Sequence, residues 1–158
     1  MDKNYYRIAV IADDRERKSE VIKFLSQIKN VSVDIKRLSL GDYLVDNRLI
    51  FERKTLNDFA LSIIDGRLFS QAIRLASSKY NSVLLLEGTG KELTETVIRR
   101  EAMQGALITV SIILGIPILR SKSPSESAQL ILYTARQIKS LARVAVQRHG
   151  RRPKGKRK

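Results

Sequence analysis

The sequence predicts an α/β domain in which a mixed central sheet is flanked by helices. Short apolar runs of the kind found in buried strands alternate with longer stretches whose apolar residues recur at helical spacing. This alternation favours a sheet that carries helices on its faces. One pair of strands is joined by a short polar turn, which predicts an antiparallel hairpin within that sheet. We find no internal repeat, and 158 residues are enough for a single domain.

The first half of the chain predicts a strand, a helix, a second strand and the hairpin. Residues 8–12 form an apolar run that ends in four charged residues, which is typical of a buried strand opening onto a polar site. Apolar residues in 21–28 are spaced for one face of a helix, and residues 31–35 alternate like a strand. The runs 43–45 and 49–52 surround a polar turn and form the predicted hairpin.

The second half predicts helices around two further strands. Helical spacing begins at Leu56, with Phe59, Ile63 and Ile64 on one side, and Gly66 interrupts it. Ser123, followed by a proline and a capping-box glutamate, marks the start of the last helix. The remaining elements are expected as a helix over 67–78, a strand over 83–87, a helix over 94–114, a strand over 116–119 and the last helix to about 143.

The charge of the chain points to a polyanionic partner. Thirty Lys and Arg against 16 Asp and Glu give a net charge of +14. Nucleic acid is the commonest partner of so basic a protein, and an anionic membrane surface is the alternative. Residues 148–158 contain seven of the basic residues and no acid, so we expect a folded domain over 1–146 and a disordered basic tail over 147–158. The tail either binds nucleic-acid phosphates regardless of sequence, or serves solubility or localisation.

Several classes of function are excluded or disfavoured. The chain has no cysteine, which excludes disulfides, thiolate nucleophiles and cysteine-bound zinc. No apolar run reaches the roughly 18 residues that cross a bilayer. The first residues lack the apolar core of a signal peptide. We therefore expect an intracellular protein of the cytoplasm and nucleoid, or of the nucleus in a eukaryote, with no membrane partner.

The hairpin predicts a cluster of charged side chains with catalytic potential. If the hairpin turns about Asn47, Asp42 lies opposite Glu52 at the end remote from the turn. Period-two alternation then places Lys54 on the same face as Glu52, and Arg53 on the other. Two carboxylates suit Mg²⁺, which neutralises a phosphate and activates water, and a lysine stabilises the charge that develops. The alternative is that these residues form ordinary ion pairs at strand ends.

Further charged residues are expected beside this cluster. Asp13, Arg15 and Glu16 close the first strand, whose end could adjoin the same site in an α/β sheet. Asp58 follows Lys54 by four residues, and we expect it to hold one of the basic groups.

Six short motifs follow one another along the chain. They are Ala-Asp-Asp-Arg-Glu at 12–16, Gly-Asp-Tyr at 41–43, Glu-Arg-Lys-Thr-Leu-Asn-Asp at 52–58, Gly-Arg-Leu-Phe-Ser-Gln at 66–71, Gly-Ile-Pro-Ile at 115–118 and Ser-Pro at 123–124. Through these motifs, residues 6 to about 145 resemble the nuclease domain of the XPF family of structure-specific endonucleases.

The resemblance implies a restriction-endonuclease-like fold and dependence on Mg²⁺ or Mn²⁺. It further implies that Asp42 and Glu52 bind the metal together with the backbone carbonyl of Arg53, and that Lys54 positions the base or binds phosphate. The family positions that line or support the site are matched by Asp13, Arg15, Glu16, Asp58, Arg67 and Gln71.

The resemblance also carries expectations about partners. Members of the family dimerise through this domain, and we expect a homodimer. The last helix has an apolar stripe that would serve either dimerisation or packing on the sheet, formed by Ala128, Ile131, Leu132, Ala135, Ile138 and Ala142. Members usually carry a helix-hairpin-helix module after the nuclease, and this sequence shows none, nor a helicase upstream. We therefore expect the basic tail, or a helicase, clamp or separate DNA-binding partner, to supply the grip on DNA.

The expected activity is metal-dependent hydrolysis of DNA near junctions of single and double strands. The substrates would be 3′ flaps or forks, in repair or in the processing of replication forks. Two alternatives stay open. One is a non-catalytic module that binds DNA or RNA through its basic surface, and the other is a subunit that is active only within a heteromeric nuclease.

Overall fold

A mixed sheet of six strands organises the part of the chain that the structure describes. The structure is a computed structural model, and it describes residues 7–91, 93 and 98–149, with side chains up to residue 141. The strand order is β2-β1-β3-β4-β5-β6. The first two strands are parallel, β3 is antiparallel to both of its neighbours, and β4, β5 and β6 are parallel. The strands are β1 (Ile8–Asp13), β2 (Val31–Lys36), β3 (Tyr43–Val45), β4 (Leu49–Thr55), β5 (Asn81–Glu87) and β6 (Ile118–Ser121).

Helices cover both faces of this sheet, as the sequence predicts for an α/β domain. Helices α1 and α5 pack against one face, and α2, α3 and α4 pack against the other. A short 3₁₀ turn at Asp14–Glu16 follows β1, and a π-helical turn at Thr109–Ile113 extends α4. The helices are α1 (Glu20–Gln27), α2 (Leu56–Ile64), α3 (Arg67–Ala76), α4 (Arg100–Ile108) and α5 (Pro124–His149).

The hairpin β3–β4 has the register that the sequence predicts. Tyr43 pairs with Phe51, and Val45 pairs with Leu49, so the hairpin is symmetric about Asn47. Asp46 and Asn47 have φ values of 49° and 54°, and the N–H of the next residue donates to the carbonyl oxygen of Val45. These are the features of a type I′ turn, whose twist matches that of the two strands. The register therefore fixes which side chains of β4 share a face.

Alternation along the strands divides the core into two layers. Tyr43 and Phe51 are fully buried beneath α1 and α5, whereas Leu44 and Ile50 are buried beneath the helices of the other face. Strand β5, next to the edge strand β6, contributes to both layers, because it has helices above and below it. Beyond the last buried residues of β4, the face covered by α3 carries polar side chains and becomes the site described below.

The structure corrects several predicted boundaries. Ile64 is 57% exposed at the end of α2 rather than on its apolar face. Residues 98 and 99 are not helical, so α4 begins at Arg100, whereas residues 94–97 of the predicted helix lie outside the described residues. Helix α3 ends at Ala76 and strand β6 covers Ile118–Ser121. Helix α5 continues past the expected end to His149, and residues 150–158 of the predicted tail lie outside the described residues.

The apolar stripe of α5 is largely used within the domain. Ala128, Ile131, Leu132 and Ala135 are buried in the core beside α1. Ile138 is 40% exposed, and the side chain of Ala142 lies outside the description. Packing on the sheet therefore accounts for most of the stripe. Among the described helices, none has a stretch apolar and long enough to cross a membrane.

Candidate active site

Asp42 is fixed at the junction of three strands. Its N–H donates to the carbonyl oxygen of Phe51 at 2.9 Å, and its own carbonyl oxygen accepts from the N–H of Asp13 at 2.8 Å. Its side-chain Oδ2 accepts from the N–H of Arg53 at 2.8 Å. Asp42 is thus bonded to β1 and β4 at the point where β3 begins. Gly41, just before it, has a φ of 75° and lies against Ile50, where a Cβ atom would overlap that side chain.

Glu52 and Lys54 lie on the face of β4 that α3 covers. Nζ of Lys54 donates to Oε1 of Gln71, on α3, at 2.8 Å. Asp42 and Glu52 border a shared cleft of about 240 Å³ between the chain that leads into β3 and helix α3. The structure therefore brings Asp42, Glu52, Lys54 and Gln71 together, as the sequence predicts. The cleft is lined by Arg15, Ser39, Leu40, Gly41, Asp42, Glu52, Gln71, Arg74 and Leu75.

The two carboxylates of the cleft repel each other. Burial, with the negative charges of Glu52 and Glu16, raises the pKa of Asp42 to about 8. Burial also raises the pKa of Glu52, although the nearby charge of Lys54 opposes the increase. Two partly desolvated acids at one site cannot both ionise freely without a positive charge between them. The pair thus has the electrostatics of a site that a cation would stabilise.

The donor set around Asp42 and Glu52 fits a hard divalent cation. Among the described residues, no group of three or more His, Cys, Asp or Glu side chains is arranged to hold a metal ion. Mg²⁺ needs fewer, because it commonly uses one or two carboxylates and retains several waters. The main chain of Arg53 is bonded directly to Asp42, which is compatible with its carbonyl oxygen being a further ligand. The residues present therefore fit Mg²⁺ or Mn²⁺.

The side chain of Arg53 lies on the opposite face of β4 from this cleft. Its guanidinium forms a two-point ion pair with Glu87 of β5, and Nη1 lies 3.5 Å from Oε2 of Glu16. Glu87 also accepts from the hydroxyl of Ser127, on α5, at 2.7 Å. Oε2 of Glu16 accepts from the hydroxyl of the fully buried Tyr43 at 2.7 Å. This buried polar network joins β4 to both neighbouring strands and to α5.

Asp13 supports the loop that leads into the cleft. It is fully buried, and it accepts from the guanidinium of Arg15 at 2.6 Å and from the N–H of Leu38 at 2.8 Å. The hydrogen bond with Arg15 lowers the pKa of Asp13 to about 2, against the effect of burial. Asp13 is therefore a charged anchor beneath the site, whereas Arg15 forms part of the wall of the cleft.

Asp58 and Arg67, two further predicted residues, are exposed outside the cleft. Asp58 is exposed in the first turn of α2, where its N–H donates to the capping hydroxyl of Thr55. The described ion pairs do not join Asp58 to a basic group, so the expectation that it holds one is not met there. Arg67 is exposed at the start of α3 and pairs with Asp65 at 2.7 Å.

Two residues of the site were not among those predicted from the sequence. Arg74 lies one turn beyond Gln71 on α3, and the spacing of three residues could have indicated a shared face. Glu87 is the charged residue at the end of the apolar strand β5, and this position could have indicated a functional or paired side chain.

Comparison with known proteins agrees with this architecture. The ERCC4 domain matches residues 12–134. This range holds β2 to β6 and α1 to α4 entirely, together with the end of β1 and the first part of α5. The chain superposes on XPF from Aeropyrum pernix with a TM-score of 0.74 at 34% identity, covering 89% of this chain and 69% of that one. A second structure, XPF from Aeropyrum pernix in complex with DNA, gives a TM-score of 0.73 at 34% identity over 85% of this chain and 66% of that one.

Curated relatives are longer than this chain. A putative ATP-dependent RNA helicase of Methanocaldococcus jannaschii is 36% identical over 146 residues, which span 91% of this chain but 18% of the helicase. The 3′-flap repair endonuclease Xpf of Saccharolobus solfataricus is 28% identical over 124 residues, spanning 78% of this chain and 53% of the relative. The matched family domain, the homologous XPF endonucleases and the shared fold agree: the chain belongs to the ERCC4 domain family and has the fold of the XPF nuclease domain.

Proposed function

We propose that this chain is a divalent-metal-dependent endonuclease that cuts DNA near junctions of single and double strands. The carboxylate pair of Asp42 and Glu52 carries the proposal, because these cation ligands border a cleft beside the ammonium of Lys54, which is held by Gln71 of the same cleft. The family supports nuclease activity. The preference for 3′ flaps or forks is supported by the name of the Saccharolobus relative, a 3′-flap repair endonuclease. Such a role belongs to DNA repair or fork processing inside the cell.

Each residue of the cleft has a separate task in this account. Asp42 and Glu52, with the carbonyl oxygen of Arg53, would hold Mg²⁺ or Mn²⁺. When bound, the cation offsets charge on the scissile phosphate and lowers the pKa of a water. Gln71 fixes the ammonium of Lys54, which orients the attacking water or stabilises the negative charge that builds up on the phosphate. Asp13 and Glu16 support these groups from below, through Arg15 and Tyr43.

The main alternative is a module that binds nucleic acid without cutting it. The net charge of +14 favours binding by itself, and the chain spans only part of the curated relatives. A panel of end-labelled 3′ flaps, forks and nicked duplexes, incubated with Mg²⁺ or Mn²⁺, separates the two. Cuts near the junction support the nuclease, whereas salt-sensitive binding with every substrate intact supports the binding module. Cleavage that appears only after a cell extract is added would instead indicate a subunit of a heteromeric nuclease.

A second copy of the chain is the proposed partner. Ile112 and Ile113 are 76% and 71% exposed on the π-helical turn, and Ile108 of α4 is half exposed nearby in the chain. Contiguous exposed apolar side chains of this kind are typical of interaction surfaces. We propose this surface for dimerisation in place of the apolar stripe of α5, because most of that stripe is buried in the core. Light scattering after gel filtration should give a dimer for the wild-type chain and a monomer for Ile112→Glu.

The grip on DNA is proposed to come from the basic segment 147–158 or from a separate protein. That segment holds about half of the net positive charge and would bind phosphates regardless of sequence. A helicase partner is supported by the match to the Methanocaldococcus relative, which is named as a helicase and is much longer than this chain.

A further inference from the structure

Two arginines at the wall of the cleft donate hydrogen bonds to the carbonyl oxygens of two consecutive residues. Nη2 of Arg15 lies 3.3 Å from the carbonyl oxygen of Leu38, and Nη2 of Arg74 lies 3.4 Å from that of Ser39. Arg15 comes from the turn after β1, whereas Arg74 comes from α3 on the other side. Both residues line the cleft whose other walls include Asp42 and Glu52.

The two arginines differ in how their charge is compensated. Arg15 is paired with the buried carboxylate of Asp13 at 2.6 Å. Among the described ion pairs, none involves Arg74, which is exposed and donates only a long hydrogen bond to a neutral carbonyl. Its charge acts on the site from a distance and opposes the rise in the pKa of Glu52. A guanidinium has five N–H donors in a planar fork, so most of its hydrogen-bonding capacity is still available for an anion.

Helix α3 holds Arg74 in this position. Leu68, Ala72 and Leu75 of the helix are buried against the sheet, which sets the rotation of the helix about its axis. That rotation turns Gln71 and Arg74, three residues apart, toward the cleft. Gln71 accepts the hydrogen bond of Lys54, and Arg74 lies one helical turn further along the same cleft. The cleft thus extends from the carboxylates of Asp42 and Glu52 to the guanidinium of Arg74, which takes part in none of the described ion pairs.

We propose that Arg74 binds a backbone phosphate of the DNA strand that is cut, next to the scissile phosphate. The carbonyl of Ser39 holds the guanidinium in the free protein and is exchanged for the phosphate when DNA binds. The exchange is favourable because a charge-assisted, two-point contact with phosphate is stronger than a long bond to a neutral oxygen. This inference rests on the proposed nuclease function, since it assigns a substrate contact within the same site.

The test measures DNA affinity as a function of salt concentration. A fluorescein-labelled 3′-flap duplex is titrated with protein in EDTA, so that binding is followed without cleavage. For Arg74→Gln we expect affinity to fall by about tenfold or more and the slope of log K against log salt to decrease by about 1. Arg74→Lys should keep most of the salt slope but recover only part of the affinity, because lysine lacks the two-point fork.

Arg48→Gln is the matched control. Arg48 is exposed in the β3–β4 turn, at the opposite end of the sheet from the cleft, and its loss changes the net charge equally. The inference is overturned if Arg74→Gln and Arg48→Gln have the same affinity and slope while the wild-type chain binds and cuts the flap. It is also overturned if Arg74→Gln lowers the cleavage rate at saturating DNA with unchanged affinity, or lowers the unfolding temperature well below that of the control. A wild-type chain that neither binds nor cuts DNA would instead refute the proposed function.

Discussion

The N–H of Arg53 donates to Oδ2 of Asp42 at 2.8 Å, so a side chain at the start of one strand is bonded to the main chain of the next. This bond ties Asp42 to the main chain of Arg53, the residue that lies between Glu52 and Lys54 and whose carbonyl oxygen is the expected third ligand. The position of the carboxylate is therefore set by the hairpin itself. Substitutions that disturb the hairpin should therefore displace the carboxylate of Asp42 more than they disturb the packing of the core.

The raised pKa of Asp42 should make the metal-free protein less stable as pH rises toward 8. Its pKa is about 8 when folded and near 3.8 in an unfolded chain, so the folded state binds more protons between these values. The free energy of unfolding must then fall as pH rises from about 4 to about 8. Asp42→Asn should flatten this fall and raise stability at pH 8 by about 0.5–2 kcal/mol. Urea unfolding in EDTA at pH 5 and pH 8 measures both effects, and equal pH dependence in the two proteins would refute the explanation.

Gly41 should tolerate no side chain. A Cβ atom there would overlap Cγ2 of Ile50, and the φ of 75° strains any other residue. We expect Gly41→Ala to reduce the free energy of unfolding by about 1–3 kcal/mol through overpacking, and to reduce cleavage because Asp42 is displaced. Gly66→Ala is the control, since Gly66 has a φ of 78° but no atom near the added Cβ. Equal losses in the two variants, measured by thermal unfolding, would show that backbone strain alone acts at Gly41.

Glu87 should matter for stability rather than for direct contact with DNA. The pair with Arg53 is largely buried, with the two side chains 17% and 8% exposed, and Glu87 also accepts from Ser127. Removing one member leaves the other charge buried, so Glu87→Ala should cost about 3–5 kcal/mol. Replacing both residues, as in Arg53→Met with Glu87→Leu, should recover much of that loss. Denaturant unfolding of the single and double variants gives the coupling energy, and additive losses would contradict a specific pair.

The sequence predicted the cleft well where local rules determine the structure. Strand alternation and a symmetric turn were enough to place Glu52 and Lys54 on one face and Arg53 on the other, because those features depend on neighbours in the chain. Arg74 and Glu87 were missed, because their roles depend on how α3 is rotated and on which strand lies beside β4. Ile64 and the stripe of α5 show the same limit, since an apolar residue at helical spacing does not reveal what covers it.

Lys54 should act in the chemical step. Its ammonium is fixed by Gln71 on the cleft face of β4, where it can stabilise the charge of the transition state. Lys54→Met should lower kcat by about 10²–10³-fold while DNA affinity in EDTA changes little. Gln71→Ala should have a smaller effect, because it frees the ammonium without removing it. Single-turnover cleavage of a 3′ flap provides the rate, and a Lys54→Met protein that cuts at the wild-type rate would remove Lys54 from the mechanism.

The central claim is that Asp42 and Glu52 form a cation-dependent catalytic centre for cutting DNA. The most direct measurement is the rate at which wild-type and Glu52→Gln proteins cut a 3′-flap duplex in Mg²⁺, with DNA saturating for both. We predict junction-proximal cleavage by the wild type that EDTA abolishes, and no cleavage by Glu52→Gln despite equal DNA binding in EDTA. Cleavage by Glu52→Gln at the wild-type rate, or wild-type cleavage that persists in EDTA, would contradict the claim.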